Sequence, residues 1–355
     1  MNHVIRNTRS LTTMVMALST IPAGALAQDD ALLDPQEVHL SNVRQLTFGG
    51  QNAEAYFSFD GTHLLYQSTP REGGCDQIYS LELATGDSEL MSTGDGRTTC
   101  SYYYPTGERV LYSSTHHFGA ACPADPDMSQ GYVWALFPTY DIFVSDADGG
   151  NLQQLTKTWG YDAEATFSPL GDRVVFTSMR NGDLDLYTMN ADGSDVRQIT
   201  DRLGYDGGAF FSPDGTKIVW RAHYPESQQD IDDYKSLIAQ GLIRPSTLEL
   251  FIADADGGNV VQVTHNEAAN FGPFWHPSGE KVVFSSNLGD PRGREFDLWM
   301  VNTDGTGLEQ VTFTGDFDGF PVFSPDGTQL VWGSNRHNEL DGETNVFIAD
   351  WVENP

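Results

Sequence analysis

The chain has 355 residues, 50 of them Asp or Glu against 19 Lys or Arg, for a formal charge of −31. A surface of that sign repels nucleic acid and anionic membrane and favours cationic partners or metal ions. The length allows one large all-β domain or two ordinary ones.

Residues 1–27 have the layout of a cleaved secretory leader. Arg6 and Arg9 stand without acids, "LTTMVMALSTI" is apolar, and the small residues "AGALA" precede "QDD", which puts the cut after Ala27. The apolar run is shorter than the roughly 20 residues that span a bilayer, and no later segment is long and apolar enough to cross one. The expectation is a monomeric protein of the periplasm or the exterior with no transmembrane segment. Losing the two leader arginines takes the formal charge to −33. Residues 28–42 form an N-terminal arm, and a repeat fills 43–355.

One phrase recurs six times: "YFSFDGTHLLYQS", "YYYPTGERVLYSS", "TFSPLGDRVVFTS", "FFSPDGTKIVWRA", "FWHPSGEKVVFSS" and "VFSPDGTQLVWGS". Gly61, Gly107, Gly171, Gly215, Gly279 and Gly327 mark its turns, and an aromatic core residue stands four places before each glycine. The apolar run after each turn is short and continuous, as in a strand buried on both faces. A second hairpin follows each phrase, as in "DIFVSDADGGNLQQLT" and "DLYTMNADGSDVRQIT". Many of its acids precede glycine in turns, where Asp-Gly is a natural pair, so part of the negative charge belongs to turn chemistry. Two hairpins per unit give four strands. The sixth unit ends at "NVFIADWVENP", one strand short, and "VRQLTF" at 43–48 supplies the missing one. The fold expected is all-β: a six-bladed β-propeller with four-stranded blades, its ring closed by an N-terminal strand in the last blade.

The repeat resembles that of the TolB-type propeller family over about residues 43–355, although the α/β domain that precedes the propeller in TolB is absent from this sequence. Similar repeats occur in oligogalacturonate lyases. That resemblance implies the propeller fold and, on the lyase side, a divalent metal held by histidines.

Two insertions lengthen blades 2 and 4 between their second and third strands, at 115–140 and 222–248, on the face that also carries the blade-to-blade loops. Loops on one face of a rigid scaffold are where function tends to sit. In the first insertion, Tyr132, Trp134, Phe137 and Tyr140 with Met128 form either a stacking platform or the loop's own packing. In the second, "SQQDIDDYKSLIAQG" (227–241) reads as a capped helix, with Ile231, Tyr234, Leu237 and Ile238 on one face, placed as a lid over the central channel.

Polar residues gather at the same mouth. Asn52, Thr98, Asp162, Asp206, Asn270 and Asp318 begin the innermost strands; two places later stand Glu54, Cys100, Glu164, Gly208, Gly272 and Phe320. Arg71, His116, His117, Arg180, His223, Arg336 and His337 end the second strands. Three readings are open: the acids bond neighbouring backbone; Asp162, Glu164, Arg180, Asp206, His223, Asp318 and Arg336 bind a ligand with Tyr132 and Trp134; or His116, His117, His223 and His337 hold a metal ion. No GxSxG elbow, HExxH helix or phosphate loop is present. Three cysteines in an oxidising compartment leave one thiol over; Cys100 is expected to pair with Cys122 or Cys75. The function expected is non-catalytic binding of a protein, peptide or glycan at the insertion-bearing face, without a cofactor. The alternative is a metal-assisted lyase or hydrolase acting at the same mouth on polysaccharide or peptide.

Overall fold

The structure is a computed structural model that describes residues 32–129, 131–290, 293, 295–353 and 355. The leader expected at 1–27 lies outside them. Six four-stranded antiparallel sheets follow one another around an axis, each innermost strand packed against those of its neighbours. In chain order the innermost strands are Gln51–Phe57, Thr98–Tyr103, Asp162–Phe167, Tyr205–Phe211, Asn270–Trp275 and Asp318–Phe323. The chain is therefore the six-bladed β-propeller that its repeat predicts.

The local reasons are visible in each hairpin. The six turn glycines all take φ between 70° and 73°, a left-handed conformation that glycine adopts without the Cβ clash other residues meet. In blade 1, Asp60 accepts from Ser58 Oγ at 2.6 Å and from Thr62 N and Oγ1 at 3.1 and 2.8 Å. Asp214 and Asp326 repeat the pattern. The side-chain donor Ser58, then Thr62, holds the Asp60 carboxyl down to about 2. Much of the acidic excess is thus committed to turns. The apolar runs behave as doubly covered strands: Leu64, Leu65, Val110, Leu111, Val174, Val175, Ile218 and Val219 are all buried. Of the aromatics placed before the turn glycines, five are buried. Phe211 is half-buried and lines an apolar recess of about 220 Å³ on the face away from the insertions.

Closure runs through the N-terminus. Leu40–Gln45 pairs antiparallel with Asn345–Trp351, from Leu40 opposite Trp351 to Gln45 opposite Phe347. The next residues reproduce a detail of the other blades. Thr47 Oγ1 accepts from Val346 N at 2.8 Å, as Thr156, Thr200, Thr264 and Thr312 accept from Ile142, Leu186, Leu250 and Leu298 at 2.8–2.9 Å.

Residues ahead of the closing strand are also fastened. Leu32 and Glu37 are buried, and Arg336 donates to the Leu32 carbonyl at 2.9 Å, to Glu37 at 3.0 Å and to Asp318 at 2.9 Å. Burial pushes the Glu37 carboxyl up, against the pull of Arg336. Removing one member of such a group leaves uncompensated charge in the interior. Arg336→Met should therefore cost about 3–5 kcal/mol in denaturant unfolding at pH 7, although it touches no turn and no sheet hydrogen bond of the repeat. A loss below 1 kcal/mol would show that the arm is not held by this group.

Candidate functional site

The site starts from an irregularity in every innermost strand. The third or fourth residue of each is left-handed: Glu54 (φ 52°), Cys100 (49°), Glu164 (56°), Gly208 (60°), Gly272 (57°) and Phe320 (57°). Register with the second strand shifts there in all six blades, as between Ala53 and Tyr56 or Gly207 and Phe210. These are β-bulges, which re-aim a side chain and bend the strand. Together the six residues line one narrow recess of about 40 Å³ on the axis, with Arg221.

The recess has a floor. Two residues beyond the bulges, Tyr56 and Phe210, from opposite blades, bring their ring centroids to 5.8 Å, and Tyr102 and Phe274 join them at 5.6 and 5.2 Å. Rings meet across the axis and close the channel. Above the recess the space opens into a cavity of about 940 Å³.

The two insertions build its wall. Trp134–Ala135 pairs with Leu242–Ile243 in a short antiparallel sheet that joins blade 2's insertion to blade 4's. Trp134 and Tyr205 meet edge to face at 6.4 Å; Phe271, Phe317 and Phe320 pack together on the other side. The helix forms at Gln228–Ile238, with Ser227 accepting from Asp230 N at its start. It is not a lid: Tyr234, its one buried residue, bonds Asp183 and the Gly204 carbonyl at 2.5 Å, and no helix residue lines the cavity. Its apolar face is needed against blades 3 and 4, which holds it beside the mouth.

One charge in the recess comes from a second strand. Arg221 follows the aromatic of "IVW", where the other blades have Gln67, Ser113, Thr177, Ser285 and Gly333. Its guanidinium reaches the axis because blade 4 has no bulge side chain; a Cβ on Gly208 would stand 1.8 Å from Arg221 Nη1. There it pairs with the Glu164 carboxylate and lies over Trp134 and Tyr205 at 5.3 and 5.6 Å from the ring centres. Glu164 also accepts from Thr177 Oγ1 at 2.7 Å and Gly208 N at 3.0 Å.

Glu54 is less well matched. It is half-buried at the base of the cavity, and its Oε2 atom is buried without a hydrogen-bond partner. Burial raises its carboxyl from 4.5 to about 7; Glu164 and Asp76 raise it further, and Cys100 and Arg221 oppose them. Burial likewise pushes the neighbouring Cys100 thiol and Tyr56, Tyr161 and Tyr205 hydroxyls up.

Of the expected ligand residues, Tyr132, Trp134 and Glu164 line the cavity. The others face elsewhere. Asp162 is buried and takes Arg180 at 3.0 Å, Asp318 takes Arg336, and Asp206 accepts from Trp220 Nε1 at 2.7 Å and Tyr224. Each acid opposes the end of its own second strand, so Asp162 and Asp318 meet an arginine, and Asp206 an indole and a phenol donor, inside the blade. His223 is half-buried beside the Thr247 backbone and does not line the cavity. The four histidines are not brought together: His116 meets Ser114 at 2.9 Å, His117 meets Asp141 at 2.9 Å, and His337 stands at the junction of blades 6 and 1. Among the described residues no three His, Cys, Asp or Glu side chains form a group suited to a metal ion. Of the first insertion's rings, Tyr140 is buried, while Tyr132 and Met128 are exposed.

The disulfide expectation needs correcting. Cys75 and Cys122 form the bond, tying blade 1's loop to blade 2's insertion, and Cys100 is free. The bulge turns the Cys100 thiol toward the axis, beside Thr99 and Glu54 and away from both outer loops.

The β-propeller is a scaffold that carries many unrelated functions. The sequence model of the family described as the TolB beta propeller domain matches residues 126–237, and the chain is a six-bladed propeller that resembles those of TolB. Among solved structures it resembles a protein of Agrobacterium tumefaciens assigned as TolB, with a TM-score of 0.58, 20% identity, and coverage of 85% of this chain and 91% of that one. It resembles TolB of Acinetobacter baumannii with a TM-score of 0.54 and 16% identity over 86% of this chain and 64% of that one. An oligogalacturonate lyase in complex with manganese gives 0.50 and 16% over 88% and 93%. These likenesses concern the fold.

Two outcomes follow. Glu54 titrates near 4.5 when unfolded and about 7 in place. A carboxyl raised on folding contributes stability that is complete below the unfolded value and lost as pH climbs through the folded one. Glu54→Gln should gain up to about 3 kcal/mol over the parent at pH 8 and almost nothing at pH 4.5; equal gains at both pH values would contradict the burial argument. Cys75→Ser should cost about 3–4 kcal/mol by loop entropy, and Cys100→Ser should leave the disulfide intact by mass mapping.

Proposed function

We propose that the chain is a non-catalytic binding propeller of an exported compartment, which takes an extended peptide segment of a partner into the cup between its two insertions. The observation that supports this most directly is the cup itself, closed below by aromatic rings and walled by Trp134, Tyr205, Phe271 and Phe317. Flat aromatic surface interspersed with polar side chains such as Thr99, Arg244, Ser246 and Asn287 suits peptide side chains and backbone. The Cys75–Cys122 disulfide agrees with an oxidising compartment, the periplasm or the exterior. No helix among the described residues is long and apolar enough to cross a membrane.

The test passes a lysine-free pool of random pentapeptide amides over immobilised protein and identifies the retained members by mass. Trp134→Ala should lower retention about tenfold, while melting shifts by no more than the roughly 1 kcal/mol of a half-exposed ring. Retention indifferent to Trp134 overturns the reading, as does retention of mixed oligosaccharides in place of peptides. Cleaved peptides in the flow-through would make the cup an active site.

A further inference from the structure

Resting on the peptide reading, we propose that the floor of the cup is a cation subsite in which the carboxylate of Glu54 receives the free amino end of the bound peptide.

The charges of the recess do not balance among themselves. Glu54, Glu164 and Arg221 line it together, and the single guanidinium is already matched by Glu164. Glu54 is left over, with Oε2 buried and without a partner. An unmatched buried carboxylate is costly, and burial accordingly holds this one near 7. A ligand ammonium would supply the missing charge and three donors in a compact head. Beside the Cys100 thiol, which hydrogen-bonds Glu54, and the hydroxyls of Ser101 and Thr166, the rings of Tyr56 and Phe320 line the same recess, and ring faces attract a cation by their quadrupole.

Size and closure choose the cation. The recess offers about 40 Å³ against about 940 Å³ in the cup above it. A compact ammonium head fits such a narrow end better than a guanidinium or a sugar ring. Because Tyr56, Tyr102, Phe210 and Phe274 block the axis below, a chain cannot pass through, and what reaches the floor is an end. The α-amino group is the end of a peptide that is both cationic and compact. A lysine side chain has the same head, so the two sources must be separated by experiment.

The lysine-free pentapeptide pool is compared with the same pool acetylated at its amino ends. The free pool should be retained at least tenfold more strongly, and Glu54→Gln, checked by its melting curve to be folded, should bring the two pools to within about twofold. N-acetyl-lysine amide and glucosamine, each tested as competitor, should displace the free pool at least tenfold less well than trialanine amide. Retention that depends on Trp134 but not on acetylation preserves the peptide reading and overturns the amino-end subsite. A preference that survives Glu54→Gln, or competition by either amine equal to that of trialanine amide, also overturns it. The absence of any Trp134-dependent retention rejects the peptide reading itself.

Discussion

A left-handed residue in each innermost strand is the constraint on which the centre of this propeller depends. A regular strand would turn alternate side chains into the neighbouring blades and leave the axis to backbone. The bulge adds one residue at a fixed depth, so six side-chain positions converge on a single level. Because left-handed backbone is unfavourable for most residues, two of the six are glycine, Gly208 and Gly272. Those two leave room that other groups occupy: the Arg221 guanidinium enters at Gly208, and Phe320 leans over Gly272. An ion pair and an aromatic wall therefore depend on where side chains are missing.

The same economy governs the rim. Each blade pairs the start of its first strand with the end of its second, and polar side chains at that level bond one another, although Asp206 Oδ2 is left without a partner. Asp162 with Arg180, Asp318 with Arg336 and Asp206 with Tyr224 are versions of one arrangement, each spanning 18 residues. In blade 6 it extends to Glu37, so the contact that completes the blade also anchors the segment leading into the closing strand. Blade-internal chemistry and ring closure are joined at one guanidinium.

The repeat made the fold readable, because turn glycines, buried runs and a missing last strand each follow from short-range rules. The insertions were readable as additions to a known period. The site was only partly so. Glu164, Tyr132 and Trp134 stand out as side chains the repeat does not need. Asp162, Asp206, Asp318, Arg180 and Arg336 stand out equally, yet the hairpin register turns them toward each other; an acid and a base 18 residues apart in successive strands are opposite partners, a signal present in the sequence. Arg221 is the one charged residue in a column otherwise of Gln, Ser, Thr and Gly, and that too was visible. Its role was not, because it depends on the space left at Gly208 in the preceding strand. The cysteine pairing failed for a related reason. Spacing places three thiols near one blade junction, but only the bulge decides which of them faces inward.

The rings that meet across the axis also affect exchange. A through-channel lets water leave by one end as a ligand enters by the other. Here the rings close the lower end, so water displaced from the floor leaves past whatever enters, and slender, poorly hydrated ligands have the advantage. A peptide bound as proposed would keep most of its length outside, free to fold or to engage something else. The apolar recess on the far face, separated from the cup by the Tyr56–Phe210 contact, is a chemically independent surface. The molecule thus has two unlike poles, and occupying one does not sterically block the other.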